Sequence, residues 1–230
     1  EELICRSLSR IALMYAWHEG KKSAWGERFS PAQVHSKYST VEILTNGLPP
    51  TEICRHYREK IAPNMYFVEN ARNVVKIKET AVNFIQTHHT RPFIIIDYLQ
   101  ILEEMDERKD RRKNIGLNVT ALRCLVRETG CAILAISALN RENYKERISL
   151  AALKESGGLE YGADCVLGLQ FTRTGAKEFD FAKEAQRNPR ELECAVLKSR
   201  TAQAFKTIPL KYCPAHNLFY SDDGETTFLR

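Results

Sequence analysis

The sequence predicts an α/β protein built on a mostly parallel sheet flanked by helices, with an antiparallel β extension at its C-terminal end. Three observations carry this expectation. Residues 93–97 and 131–137 are short apolar runs rich in β-branched side chains, of the kind that fill parallel strands covered on both faces. Stretches with apolar residues at helical spacing, 74–88 and 115–126, precede each run, so strand, helix and strand alternate and the strands pair in parallel. After residue 190 the helical spacing ends, and short strands separated by turns replace it.

The chain has 230 residues, of which 43% are hydrophobic and 27% charged, enough for a full core, and it is read as a single domain spanning 1–230. No apolar run reaches the roughly 18 residues of a membrane helix, and no signal peptide opens the chain. A cytoplasmic protein with no membrane partner is expected. Seven cysteines, an odd number with no Cys-x-x-Cys pair, point to reduced thiols rather than a disulfide framework or a zinc site. Six histidines show no metal-ligand spacing, and a net charge of +5 is compatible with a polyanionic partner without requiring one.

Taken in order, residues 2–17 place Ile4, Leu8, Ile11 and Tyr15 on one face of an amphipathic helix. The chain enters this helix at Glu1 with no strand before it, so a preceding segment is expected. Gly20-Lys21-Lys22-Ser23 is not a phosphate loop, because the first glycine of that motif would fall on Tyr15 and Lys22 occupies the Ser/Thr position. Residues 20–50 read as a loop-rich connection with a short helix near 31–36 and a strand or helix near 41–44. A helix over 51–61 and a strand over 65–69 follow, and then a helix over 74–88 that His88-His89 ends in solvent. Residues 103–113 are almost all charged and fit an exposed loop. Beyond them, Ile115, Val119, Leu122 and Val126 define a helix that stops at Gly130. The strand over 131–137 ends in polar residues, Ser137, Asn140 and Arg141. A short helix or turn at 150–154, a strand at 164–171, a polar insertion at 172–190 and strands at 192–197, 205–212 and 217–220 complete the chain.

The chemistry converges on Asp97, at the carboxyl end of the first apolar run. Ligands of open α/β sheets bind along that edge, and a carboxylate there can hold the water shell of a magnesium ion on a nucleotide's phosphates, as a Walker B aspartate does. The alternative is a strand that simply ends at a turn-favouring Asp. Lys198 and Arg200 are two apart on a predicted strand and so share a face. They are either site residues or the charges that keep an exposed edge strand from aggregating.

Four stretches in order then resemble the RecA-like motor domain of DnaB-type replicative helicases. Asp97-Tyr98-Leu99-Gln100 resembles the Walker B segment, and residues 133–141, ending Ser137-Ala138-Leu139-Asn140-Arg141, resemble the strand with the sensor motif. Residues 154–164, from Lys154-Glu155-Ser156-Gly157 to Ala163-Asp164, resemble the family's Arg-Glu-Ser-Gly segment, and Leu197-Lys198-Ser199-Arg200 resembles its Lys-x-Arg finger strand. The resemblance implies an ATP-dependent DNA helicase domain that uses ATP and Mg2+, assembles as a hexameric ring and translocates on single-stranded DNA in replication. It implies that Asp97 organises the metal, that Lys198 and Arg200 reach a neighbour's nucleotide, and that Lys154, Glu155 and Gly157 line the DNA channel. An ordinary helix-ending turn remains the alternative for those three.

The departures carry expectations too. The family's Walker A loop and catalytic glutamate lie upstream of the helix at 2–17, so this chain taken alone is expected not to hydrolyse ATP. Ala138 stands where the sensor glutamine would be and has no side-chain hydrogen-bonding group. Lys154 replaces an arginine, and Thr201-Ala202-Gln203 replaces a glycine-bearing turn. A non-hydrolysing RecA-like assembly or DNA-binding module is the alternative function.

Overall fold

The computed structural model describes residues 55, 57–106, 108–139, 144–150, 158–201, 203–214 and 217–221. The helix expected at 2–17 and the connection at 20–50 lie outside the described residues. The chain divides into two units, one of residues 68–181 and 194–208, the other of residues 1–67, 182–193 and 209–230.

The first unit contains the two βα repeats. Helix α1, Val74–His88, starts where the Asn73 side chain accepts from Lys76 N at 2.9 Å and ends at His89, whose left-handed φ of 54° lets its N–H return to Ile85 O. Strand β1, Phe93–Ile96, follows. Helix α2, Arg111–Thr129, is capped at one end by Asp110, which accepts from Lys113 N at 2.8 Å, and at the other by Gly130 at φ 70°. Strand β2 is Ala132–Ala135. The two strands pair in parallel in one sheet, from Phe93 against Ala132 to Ile96 against Ala135, as the alternation predicts.

Ile94, Ile96, Ile133 and Ala135 pack with Val74 and Ile77 of α1 and with Ile115, Val119, Leu122 and Leu125 of α2. Among the described residues, helices cover one face of this pair of strands. Phe93 is 61% exposed and Ile95 59%, and Leu134 is exposed beside them. Alternate side chains of a strand point to opposite faces, and the helices pack on one of them. On α2 the innermost apolar residue is Leu125, with Val126 only partly buried, and Asn114 and Asn118 are buried on the same helix. These two asparagines hold down the acidic loop before it. Asn114 Nδ2 donates to Asp106 O at 2.9 Å and to Lys109 O at 3.1 Å, and Asn118 Nδ2 donates to Glu103 O at 3.2 Å. The charged run at 103–113 is thus tethered at its main chain, and its last residues already belong to α2.

Helix α3, Leu159–Gly162, leads into β3, Cys165–Phe171. Ala195 and Leu197 of the following strand pack with Ile148, Leu150 and Val166 in a second small core. The region 172–190, expected as a polar insertion, carries the short helix α4, Phe181–Gln186. Strands β4, Arg190–Ser199, β5, Lys206–Cys213, and β6, Leu218–Tyr220, join β3 in a four-stranded sheet ordered β3-β4-β5-β6, with β5 and β6 antiparallel. The C-terminal β extension is therefore present as a sheet of its own.

In the second unit, the described part of the helix expected over 51–61 is α-helical at Arg55 and a π-helical turn over Tyr57–Ile61, and a 3-10 turn, Ala62–Asn64, follows. The Tyr212 ring lies tilted against Phe219 at 4.5 Å between centroids, bonds Asn217 through its hydroxyl, and lies 5.7 Å from the Arg190 guanidinium. Residues 65–69, expected as a strand, pair with none of the described strands. An apolar run is a strand only where its main chain finds a partner.

Candidate active site

Asp97 follows directly on β1 and is exposed. Its corner is fixed by main-chain bonds on both sides. Ile136 N donates to Ile96 O at 2.9 Å, and Leu99 N donates to Ile136 O at 2.9 Å, so one residue beyond β2 brackets Asp97 and Tyr98 with both of its backbone groups. Leu99, 2% exposed, anchors the next turn in the core. The Asp97–Tyr98 peptide bond is cis. Among the described residues the Asp97 carboxylate has no hydrogen bond or ion pair.

Gln100 joins this corner to the end of β2. Its Nε2 donates to Ser137 Oγ at 2.9 Å and to Ala138 O at 3.3 Å, while its Oε1 accepts from Ala138 N at 3.3 Å. Both ends of one amide are used on two successive residues. Arg111, the first residue of α2, donates from Nη2 to Gln100 O at 3.1 Å. Ala138, expected from the resemblance to stand at the sensor position, has no polar side chain, and its main chain is bound by Gln100.

Asp97 suits a magnesium ion because it is a hard oxygen donor. Among the described residues no group of three or more His, Cys, Asp or Glu could hold a metal by itself. Magnesium is commonly bound through one or two carboxylates, with waters and substrate phosphates filling the other positions. Asp97 fits that arrangement.

Lys198 lies on β4 and Arg200 just beyond it, and both turn to one step of chain, Ala163 to Asp164. Lys198 Nζ donates to Ala163 O at 2.9 Å, and Arg200 Nη1 stands 2.6 Å from Asp164 Oδ1. Strand β4 lies between β3 and β5, so deterrence of edge aggregation does not account for these two cations. Lys154, Glu155 and Gly157 lie outside the described residues, as do Asn140 and Arg141.

Sequence reasoning assigned no role to Gln100, Asp164 or Gly162. A glutamine three residues after Asp97 and a carboxylate just before β3 are visible in the sequence. The partners of their side chains stand more than 30 positions away, however, and only the fold reveals them.

The model of the DnaB-like helicase C terminal domain family matches residues 37–221. The replicative DNA helicase DnaB of Leifsonia xyli is 29% identical over 163 residues, covering 69% of this chain and 32% of that protein. The replicative DNA helicase DnaB of Helicobacter pylori is 38% identical over 85 residues, 36% of this chain and 17% of that protein. The chain thus spans about a third or less of the length of these curated relatives. Among solved structures, a DnaB-like replicative helicase described with its primase interactions superposes with a TM-score of 0.70 at 20% identity, covering 96% of this chain and 48% of that one. A second solved structure, an ATPase domain, gives 0.68 at 20% identity, covering 94% of this chain and 68% of that one. These likenesses establish the RecA-like fold.

Proposed function

Because the chain belongs to the DnaB-like helicase C-terminal domain family, we propose that it forms the motor domain of an ATP-dependent DNA helicase that translocates as a ring on single-stranded DNA during replication. The observation that carries this reading is the Asp97 corner. The main chain on both sides of this exposed carboxylate, at the carboxyl end of a parallel strand, is pinned by Ile136 and clasped to the end of β2 through Gln100. Ligands of such sheets bind on that edge. Bound there with the nucleotide, magnesium would neutralise phosphate charge. The protein's part is to hold the main chain that carries Asp97 in one place, so that little backbone reorganisation is needed when the ion and nucleotide arrive.

Lys198 and Arg200 are the proposed cations that reach the phosphates of a neighbouring subunit's nucleotide, and Lys154, Glu155 and Gly157 the proposed DNA-channel residues. Positive charge on a transferring phosphoryl group accelerates hydrolysis without any covalent chemistry from the protein. Ala138 favours one second reading, a ring that binds DNA without hydrolysing ATP.

The test is DNA-stimulated ATP hydrolysis and strand separation by the full-length protein, wild type against Asp97→Ala. We expect the variant to lose on the order of 10²-fold or more in turnover while keeping its circular dichroism spectrum. Unchanged turnover in the variant would return Asp97 to a purely structural role. Absence of hydrolysis in the wild type, with DNA binding intact, would decide for the second reading.

A further inference from the structure

The chain step that receives Lys198 and Arg200 is itself seated on the core. Gly162 closes α3 against α2 so tightly that a Cβ at this position would come within 2.2 Å of Val119 Cγ1. Ala163 then presents its carbonyl to Lys198. Asp164 holds Arg200 twice: its carbonyl accepts from Arg200 N at 3.0 Å, and its carboxylate meets Arg200 Nη1 at 2.6 Å. The side-chain contact is between one oxygen and one nitrogen, and a guanidinium offers five N–H donors in a rigid fork. Among the described residues, much of the fork is left to meet another acceptor.

Stability does not explain this pair. Arg200 is 48% exposed and Asp164 75%, and an ion pair that exposed contributes little to folding. A main-chain bond and a side-chain bond between the same two residues do something different, which is to fix direction. We propose that Asp164 is a positioning residue for Arg200, holding the guanidinium so that its remaining N–H groups meet the phosphates of a nucleotide bound by the adjoining subunit. The inference rests on the reading of Arg200 as a residue acting across the subunit boundary. It adds the carboxylate that aims Arg200 and the Gly162 seat that fixes the carboxylate.

The experiment is steady-state ATP hydrolysis by the full-length protein carrying Asp164→Asn, Asp164→Glu, Arg200→Ala, and Asp164→Asn with Arg200→Ala. Asn keeps the size and the main-chain acceptor and removes the charge. We expect Asp164→Asn to lower kcat by about 10- to 100-fold, as small misplacements of catalytic groups do. The KM for ATP and the assembly state by light scattering should stay as in the wild type, since ground-state binding is not Arg200's work. Asp164→Glu should recover part of the loss, and the double variant should be no slower than Arg200→Ala alone. A wild-type kcat in Asp164→Asn, or losses that multiply in the double variant, would overturn the inference. A wild-type kcat in Arg200→Ala would overturn the finger reading itself, whatever Asp164→Asn does.

Discussion

Gln100 shows how one side chain can join the ends of two strands. Its amide binds Ser137 in a part-buried hydrogen bond and both backbone groups of Ala138 in exposed ones, and a typical hydrogen bond contributes about 0.5–1.5 kcal/mol net. Gln100→Ala should therefore lower unfolding free energy by about 1–3 kcal/mol, read from urea denaturation. An unchanged midpoint would show that water replaces the clasp. Asp106 gives a prediction in pH. The Arg108 N–H, 3.1 Å from Asp106 Oδ1, and then the Arg108 and Lys109 side chains hold this carboxyl below its ordinary value of 3.8. A lowered folded-state value means stability that is present above the unfolded value and lost as pH falls through the folded one. The stability difference between wild type and Asp106→Asn should thus be largest near neutral pH and shrink below about pH 4. A difference that is constant with pH would show that the ionised form gains nothing from these contacts.

At the scale of elements, the caps decide where helices begin and end, and one glycine decides how closely two of them approach. Asp110 ends the charged run and starts α2, and Gly130 stops α2 at a left-handed φ that L side chains rarely adopt. Gly162 is the tighter constraint. A methyl group added there collides with a branched side chain of α2, not with the far end of a flexible one. Overpacking of this kind costs roughly 1–3 kcal/mol, so Gly162→Ala should lower the urea midpoint. Adding Val119→Ala removes the colliding methyl group, and the two substitutions together should cost less than the sum of each alone. Additive costs would mean that the α2 contact is not what restricts residue 162.

For the whole molecule, Lys198 and Arg200 bear on assembly. If they act on a neighbour's nucleotide, the full-length protein should form a ring, a hexamer on the family resemblance, in which Arg200→Ala still binds ATP but does not turn it over. Rings mixed from Arg200→Ala and Asp97→Ala subunits would contain some interfaces with both residues intact. Partial recovery of hydrolysis in the mixture is the expected outcome. Mixed rings as inactive as either parent would show that Arg200 does not complement Asp97 across an interface.

The sequence by itself determined the βα alternation, because 3.6-residue spacing and unbroken β-branched runs are local patterns. It determined the ends of α1 and α2 through His89 and Gly130, and it marked Asp97 through its place at the end of an apolar run. It marked Lys198 and Arg200 as one pair, and both meet the same step of chain. Tertiary structure alone decided which face of β1 is covered. A run such as Phe93-Ile94-Ile95-Ile96 carries no alternation to distinguish its two sides, and helix packing made the choice. It also decided that 65–69 pairs with no described strand, that Asn114 and Asn118 bind the acidic loop, and that Gln100 and Asp164 hold groups 36 to 38 positions away. A hydrogen bond leaves no period in a sequence, and its partner is set by where the fold brings the chain back.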